Sequence, residues 1–460
     1  MPALSRRLLA PAVLAGALLA AAPAAAQSPD SLRPFGTLRE QADRQQAWLR
    51  ERLETVLPAL MRKYRIDMWV VPMREYNEDP VFSAIVSPTT FAARRRTIYV
   101  FYDRGPAKGV ERIALGGSSQ GGLYRAVRST RQVTAAVAGR SAELWGDQQW
   151  QVLKDVIEAR RPRTIAIDIS RTFAFADGLS AGEYEGMRLA LGPKWTRRFR
   201  RAEALPVDLI AARLPDEQRF YHDLAQLTWT VIDSMFSGAR IRPGTTRTSD
   251  LVWYFRQRVN DLGLGTWFQP SVDVQRRGAT DETLGDDPVI ERGDVLHCDV
   301  GITALGLNTD IQHMAYVLQE GETEAPVGLR AALARSNRMQ DILIEEIRPG
   351  RSGNEILASA RGRMLAEQID GTIYSHPIGL NGHGAGPLIG LWDYQEGVPG
   401  RGDHKVIPNM WFSIELQATT PVPEWDGQPV RMAQEEDMVM GPDGVPRWAY
   451  RRQTELRLIR

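Results

Sequence analysis

The chain has 460 residues, of which 57 are Lys or Arg and 56 are Asp or Glu, and its single cysteine is Cys298. This balance of charge excludes the strongly basic surface that nucleic-acid binding requires. A single cysteine excludes internal disulfides, so a chain long enough for about two or three domains must be held together by its hydrophobic cores.

Residues 1–26 predict a secretory signal peptide. Two arginines at positions 6 and 7 precede an apolar stretch, and a run of three alanines at 24–26 offers a cleavage site. The apolar stretch is short and is broken by Pro11 and Pro23, which disfavours a stable membrane anchor. We therefore expect an exported protein, periplasmic or secreted. Loss of two positive charges would leave 55 basic against 56 acidic residues, a net charge of −1.

Residues 27–210 alternate between helical and extended patterns. Helical patterns cover 35–65 and 145–160, and Ser180 resembles the N-cap of a further helix. Short apolar runs between them predict strands at 66–72, 96–102 and 164–169. Strands that alternate with helices predict an α/β N-terminal domain.

One motif in this domain has a catalytic interpretation. Residues 117–121, Gly-Ser-Ser-Gln-Gly, fit the Gly-x-Ser-x-Gly pattern of the serine hydrolase nucleophile elbow, with Ser119 as the nucleophile. No Gly-rich oxyanion motif precedes it, and the following residues are a poor match to a buried helix. We therefore favour a glycine-rich hairpin over a serine hydrolase site.

Residues 211–460 have a different character, with longer amphipathic helices. The sequence Ile-Arg-Pro-Gly occurs at 241–244 and again at 347–350, each time after one helix-like run and before another. Internal repetition of this kind predicts a pseudo-symmetric domain made of two related halves.

The central feature of this region is a predicted β-hairpin that carries two aspartates. Strand patterns cover 295–300 and 311–317, and turn residues lie between them. Asp299 and Asp310 would then project from paired strands. A carboxylate in an apolar strand is costly unless it is paired or coordinated, so the hairpin is a candidate cation site.

Three later residues could complete that site. His383 lies in the glycine-rich segment 381–386, where the backbone can approach a ligand closely. Glu415 and Glu436 each lie within an apolar, strand-like run. Any one of them alone has an ordinary structural interpretation.

Together these motifs resemble the pita-bread metallopeptidases, which include methionine aminopeptidase, Xaa-Pro aminopeptidase, prolidase and creatinase. The resemblance implies five metal ligands in the order Asp, Asp, His, Glu, Glu, which match Asp299, Asp310, His383, Glu415 and Glu436. It implies an α/β N-terminal creatinase-like domain at 27–210, followed at 211–460 by an α+β pita-bread catalytic domain with pseudo-two-fold halves. Relatives with the extra domain commonly form homodimers, so a homodimer is expected.

The resemblance also implies two divalent metal ions. Four carboxylates and one imidazole suit manganese, our first choice, or cobalt, zinc or iron. Two adjacent cations balance the acidic charge and can hold a hydroxide between them. By resemblance, Asp310 and Glu436 bridge the ions, Asp299 completes one, and His383 and Glu415 complete the other. Glu415 would also act as the catalytic proton carrier.

The sequence departs from the family pattern at two substrate-binding positions. The family carries another histidine seven residues beyond the metal histidine, but with His383 as the ligand that position is Gly390. His376 is our first substitute as a catalytic residue, and His404 is a weaker one. A second family histidine is replaced near Gln269, which we expect to contact substrate. His297 shares a strand face with Asp299 and would orient a ligand.

The leading hypothesis is therefore an exported dinuclear metallopeptidase that cleaves Xaa-Pro bonds in short peptides. One alternative is a metal-dependent amidase or carboxypeptidase-like hydrolase that uses the same centre on another substrate. Another is a catalytically inactive pita-bread protein that binds a peptide or other ligand. A serine hydrolase at Ser119 is the last alternative.

Overall fold

The computed structural model describes residues 33–128, 136–137, 140–141 and 143–460. The predicted signal peptide lies outside the described residues. Within the described part of the chain, none of the helices has the length and apolar character needed to cross a membrane.

The N-terminal part builds one mixed six-stranded sheet in the order β4-β3-β2-β1-β7-β8. A short π-helical turn, Arg52–Val56, joins its first two helices. The strands are β1 (Met68–Arg74), β2 (Arg96–Asp103), β3 (Val110–Leu115), β4 (Arg125–Val127), the small hairpin β5 (Ala136–Val137) and β6 (Arg140–Ser141), β7 (Ile165–Ile167) and β8 (Phe199–Arg201). The helices are α1 (Leu38–Glu51), α2 (Leu57–Lys63), α3 (Phe82–Ile85), α4 (Asp147–Arg160), α5 (Ala181–Thr196) and α6 (Ala204–Ala211).

This sheet is covered by helices on both faces, which is why its strands are apolar throughout. Along β1, Trp69 and Val71 pack with the helices α1, α2 and α6, whereas Met68 and Val70 pack with α4 and α5. Side chains alternate between the two faces of a strand, so both sets must be apolar when both faces are buried. The predicted α/β N-terminal domain is thus confirmed as a three-layer arrangement.

The C-terminal part builds a nine-stranded sheet whose main path is β14-β16-β17-β13-β10-β9. Its strands are β9 (Ser271–Gln275), β10 (Val295–Val300), β11 (Thr303–Ala304) and β12 (Leu307–Asn308), which form a separate hairpin tip, β13 (Ile311–Val317), β14 (Gly371–Ile373), β15 (His376–Ile378), β16 (Trp411–Val422), β17 (Gln428–Met440), β18 (Pro446–Trp448) and β19 (Arg457–Ile459). The helices are α7 (Pro215–Met235), α8 (Thr248–Asp261), α9 (Asp281–Leu284), α10 (Val327–Glu346) and α11 (Gly353–Ala366).

The predicted pseudo-symmetry is visible in this sheet. One half contains α7, α8, β9, β10 and β13, the other contains α10, α11 and β14 to β17, and they meet where β13 lies beside β17. The two Ile-Arg-Pro-Gly segments occupy matching turns: the amide of Gly244 donates to the carbonyl of Ile290, and that of Gly350 donates to Val406. Both glycines have positive φ, 79° and 90°, which a side chain would oppose.

The Gly-Ser-Ser-Gln-Gly segment is a loop between β3 and β4, but these strands pair in parallel, so the expected glycine-rich hairpin is wrong. It follows β3, and no helix starts after it. Gln120 is buried there and donates to the hydroxyl of Tyr99, while Ser119 is exposed. An elbow needs a strand followed at once by a helix, so this segment does not support a serine hydrolase.

Candidate metal centre

One row of paired residues crosses four strands of the C-terminal sheet. Asp299 on β10 lies opposite Gln312 on β13, Gln312 lies opposite Glu435 on β17, and Glu435 lies opposite Glu415 on β16. Directly opposite residues in a sheet point to the same face. The row therefore places three carboxylates and one amide side by side on the inner face, away from the helices.

His376 reaches this row from the neighbouring strand β15. Its Nε2 lies 3.6 Å from Asp310 Oδ2, 3.7 Å from Glu415 Oε2 and 3.5 Å from Glu435 Oε1. Its Nδ1 lies 3.0 Å from the carbonyl oxygen of Pro377, which can only accept. Nδ1 therefore carries a proton, which leaves Nε2 as the ring atom that can bind a cation held by the carboxylates.

Asp310 enters the cluster at the end of the hairpin. Leu305 and Gly306, with φ of 51° and 77°, form the two-residue turn, as in the tight hairpins that need left-handed residues. The amide of Asp310 donates to Asp437 Oδ2 at 3.2 Å, and the indole of Trp267 donates to the carbonyl of Thr309 at 2.9 Å. These bonds fix the backbone that carries the Asp310 carboxylate.

Several donor atoms of the cluster are buried and unused. Asp299 Oδ1, Asp310 Oδ1 and His376 Nε2 have no hydrogen-bond partner among the described residues. Burial, followed by the charge of Glu435, raises the pKa of Asp299 to about 7 and the pKa of Asp310 and Glu415 well above the usual range. Unsatisfied acids packed together are unfavourable without a cation.

The same atoms fit a divalent metal. Three groups of donor atoms each lie within 4.8 Å of one another: Asp310, His376 and His383; His376, Glu415 and Glu435; and Asp299, Asp310 and Glu435. Glu435, Asp310 and His376 each belong to two groups, so the groups share ligands. Hard carboxylate donors with one or two imidazoles and no thiolate suit Mn, Fe, Co or Zn in a pair of sites.

Glu436 was expected to be a metal ligand, but the structure places its neighbour Glu435 in the cluster instead. Glu435 joins the cluster, whereas Glu436 points to the opposite, helix-covered face. Glu436 accepts there from the Nε2 of His313 at 2.9 Å, from the indole of Trp229 at 3.1 Å and from the amide of Gln453 at 2.8 Å. Neighbouring residues of a strand point to opposite faces, so only one of the two acids can reach the site.

The assignment of the histidines changes as well. His376 rather than His383 is surrounded by the carboxylates, so the catalytic substitute expected at His376 takes the metal-ligand position. His383 lies at the edge, with its ring 4.7 Å from His376 and 5.1 Å from Trp267. It follows His376 by seven residues, so the expected family spacing is met by this pair. Gly390 therefore does not stand in the place of the family histidine. A side chain does not fit there, because a Cβ would lie 2.2 Å from the carbonyl oxygen of Ile373.

The three remaining candidate residues lie in different surroundings. His297 is linked to the cluster through Gln312, whose Oε1 lies 2.9 Å from Nε2 of His297. Gln269, expected to contact substrate, is exposed and accepts from Arg256 at 3.0 Å. His404 is bonded to the buried Asp208 at 2.8 Å, next to the N-terminal domain.

Besides Glu435, two residues in and around the cluster were not anticipated from the sequence. Gln312 donates to both Glu415 and Glu435, and Ser413 donates to Glu435. Strand alternation could have indicated Gln312, since it lies two residues beyond Asp310. Ser413 lies two residues before Glu415 and could have been found in the same way.

A curved sheet that presents four carboxylates and an imidazole on its inner face is the arrangement of a pita-bread metallopeptidase. The sequence model of metallopeptidase family M24 matches residues 221–440, which include the whole cluster. Over these residues the chain is similar to that family, and the resemblance inferred from the sequence is confirmed. Comparison with curated proteins finds no match.

Solved structures show that the whole fold is shared. The X-Pro aminopeptidase of Thermotoga maritima is 17% identical, with 87% of this chain and 99% of that chain covered and a TM-score of 0.59. The Xaa-Pro dipeptidase of Bacillus anthracis is 17% identical, with 91% and 99% covered and a TM-score of 0.58. The N-terminal domain of the FACT complex subunit SPT16 from chickpea is 13% identical, with 90% and 99% covered and a TM-score of 0.58. Similarity at this level of identity establishes the fold of both parts of the chain. The activity has to be inferred from the residues of the site.

Proposed function

We propose that this protein is an exported, dinuclear metal-dependent peptidase that hydrolyses Xaa-Pro bonds in short peptides. The observation that carries the proposal is the convergence of His376 with four carboxylates around three unused, buried donor atoms. Asp299, Asp310 and Glu435 would hold one cation, and Asp310, Glu435, His376 and Glu415 would hold the other. When bound, the cations would activate water and polarise the scissile carbonyl.

Glu415 is the residue of this cluster best placed to move protons. Its side chain is 21% exposed, against 5% for Asp310 and 1% for Glu435, so it borders the space that a peptide can enter. At this position Glu415 would take a proton from the attacking water and return it to the leaving amine.

His383 would stabilise charge on the substrate oxygen. Burial, followed by the neighbouring His376, lowers the pKa of His383 to about 4. The imidazole is therefore neutral at pH 7 and carries one N–H. A neutral donor at the edge of the site can bond the developing oxyanion without first taking up a proton.

Two features favour a short peptide that ends in proline. Trp267, Tyr374 and His383 form an aromatic group beside the cluster, which suits an apolar ring. Arg401 lies within electrostatic reach of Tyr374 and His383, and within the described part of the chain no carboxylate pairs with its guanidinium. A half-buried free cation suits the carboxylate of a dipeptide.

The proposal is tested with mature protein loaded in manganese-supplemented medium. Mass spectrometry should find about two cations per chain, and Xaa-Pro dipeptides should be cleaved. Asp299→Ala should lose both properties, whereas Ser119→Ala should keep them. Metal loading with hydrolysis of non-prolyl amides only would favour the amidase alternative. A wild-type chain without metal or activity would favour the binding protein.

Substrate length is tested separately at Arg401. Arg401→Met should raise KM for Xaa-Pro dipeptides by about 10- to 100-fold, since a hydrogen bond to a charged group is worth about 1.5–3 kcal/mol. The corresponding Xaa-Pro peptide amides, which lack the carboxylate, should be unaffected by the substitution. Equal losses on both substrates would contradict the assignment of Arg401 to the carboxylate.

Export and dimer formation belong to the same proposal. Secretion of a protein that begins at Gln27 would support cleavage of the signal peptide, and N-terminal sequencing of the mature chain measures this directly. Light scattering at micromolar concentration measures whether the mature chain is a dimer.

A further inference from the structure

Gln312 is the only amide in the row of acids that crosses the inner face. Its Nε2 donates to Glu415 Oε1 at 3.0 Å and to Glu435 Oε2 at 2.7 Å. One NH2 group thus joins two carboxylates that stand on different strands from its own. Gln312 is 5% exposed, so water does not compete freely for these bonds.

The orientation of the amide is dictated by its neighbours. Both glutamates must be ionised to bind a cation and can then only accept, so the nitrogen of Gln312 must face Glu415 and Glu435, and its oxygen must face away. That oxygen, Oε1, lies 2.9 Å from Nε2 of His297, which must therefore carry a proton. Nδ1 of His297 lies 3.2 Å from Asp273 Oδ2. Asp273, His297 and Gln312 form a chain that ends on the two glutamates.

This chain decides which carboxylate oxygens remain for a cation. Gln312 occupies Oε1 of Glu415 and Oε2 of Glu435. The other oxygens, Glu415 Oε2 and Glu435 Oε1, are the ones that lie 3.7 Å and 3.5 Å from Nε2 of His376. An amide that rotated by half a turn would place its own oxygen against two acids. His297 opposes that rotation because its N–H needs an acceptor.

We propose that Gln312, held in orientation by His297 and Asp273, is a positioning residue that fixes the separation of Glu415 and Glu435 and thereby sets cation affinity. The proposal rests on the proposed function, because it concerns the same metal centre. His297 bonds to Gln312, and Gln312 bonds to the two glutamates. Their effect is transmitted through the two glutamates.

A double-mutant cycle on manganese binding tests this chain. The full mature chain, stripped of metal, is titrated with Mn²⁺ by calorimetry for wild type, Gln312→Leu, His297→Leu and the double variant. Each single variant should weaken binding of at least one cation by about tenfold or more. The double variant should bind no more weakly than Gln312→Leu, since His297 acts only through Gln312. Gln275→Leu, which removes an amide bonded to the Arg431 carbonyl, is the matched control and should bind as wild type does.

The outcomes distinguish this proposal from the proposed function. Wild type with two cations and Xaa-Pro activity, but with Gln312→Leu binding Mn²⁺ within about twofold of wild type, overturns the positioning role alone. Additive losses in the double variant overturn the chain through His297. A wild type that binds no cation overturns both. If a leucine variant does not fold, Asp273→Asn, whose side chain is half exposed, should weaken Mn²⁺ binding less but in the same direction; no change there also overturns the chain.

Discussion

Glu435 and Glu436 are neighbours on β17, yet Glu435 Oε1 lies 3.5 Å from the imidazole of His376 while Glu436 Oε1 lies 2.9 Å from the imidazole of His313. The first pair is in the candidate metal centre, and the second is in the core behind the sheet. Two acids that differ little in sequence context therefore have unrelated roles.

Substitution of these acids by glutamine should separate metal binding from stability. Glu435→Gln should lose at least one cation per chain and reduce kcat by about a hundredfold or more, because a shared ligand is removed. Metal content by mass spectrometry and peptide hydrolysis measure both effects.

Glu436→Gln is the matched control. It should keep its metal but lower the free energy of unfolding by about 1–3 kcal/mol, because a buried bonding group loses a good partner. Denaturant unfolding in the presence of metal measures this. Metal loss in Glu436→Gln with retention in Glu435→Gln would reverse the assignment.

The two histidines at the site should also differ in their effects. His376→Ala should lose metal, whereas His383→Ala should keep near-normal metal content and lower kcat by about 10²- to 10³-fold, as expected for removal of an oxyanion donor. Parallel metal analysis and kinetics on Xaa-Pro dipeptides measure the difference. Full activity of His383→Ala would remove it from the mechanism.

Cation affinity should rise with pH across neutrality. The pKa of Asp299 is raised to about 7 by burial and then by Glu435, and the same two causes raise the pKa of Asp310 well above its usual range. A protonated acid must lose its proton before it can bind a cation, so binding is weakened below pH 7 and strengthened above it. Calorimetry in buffers of different ionisation enthalpy should detect proton release on Mn²⁺ binding, and an affinity that is constant between pH 6 and pH 8 would contradict the expectation.

A pair of buried acids in the N-terminal domain should make stability fall as pH rises. Asp168 accepts from the indole of Trp69 at 2.7 Å and Asp79 accepts from the amide of Val81 at 3.0 Å, while the second oxygens of both acids are buried and have no other partner in the described chain. Burial raises the pKa of Asp79 to about 6 and raises that of Asp168 strongly, a shift to which the charge of Asp79 adds.

The folded chain therefore keeps a proton that the unfolded chain releases above its ordinary pKa near 4. The contribution of the pair is favourable below that value and is lost as pH rises through about 6. Asp168→Asn, which can donate to Asp79 without a charge, should raise Tm by a few degrees at pH 8 and by less at pH 5. A difference in Tm that does not change with pH would contradict the interpretation.

Much of the fold follows from periodicity in the sequence. The predicted strands at 295–300 and 311–317 have those bounds in the structure, because alternating and apolar runs between turn residues leave few other conformations. The repeated Ile-Arg-Pro-Gly segments predicted two halves because proline and a left-handed glycine restrict the chain in the same way twice.

The choice between adjacent candidates could not be made from periodicity. Residues 435–437 are three consecutive acids, and a shift of one residue in strand register exchanges the faces. The register of β17 is set by its pairing with β16, in which Glu435 lies opposite Glu415, and that pairing is a tertiary property. The histidines do carry a usable signal in the sequence, since only His376 has a second histidine seven residues further on.

The candidate metal centre spans the seam between the two halves of the C-terminal domain. Asp299 and Asp310 come from one half, and His376, Glu415 and Glu435 come from the other, while the seam itself is spanned by a single β-pair, Gln312 with Glu435. One half alone holds the donor group His376, Glu415 and Glu435, but the groups that include Asp299 or Asp310 need both halves, so an incompletely folded chain cannot form the full two-cation site. Binding of both cations would then mark the completion of folding. Cations already bound by ligands from both halves would slow the separation of the halves during unfolding.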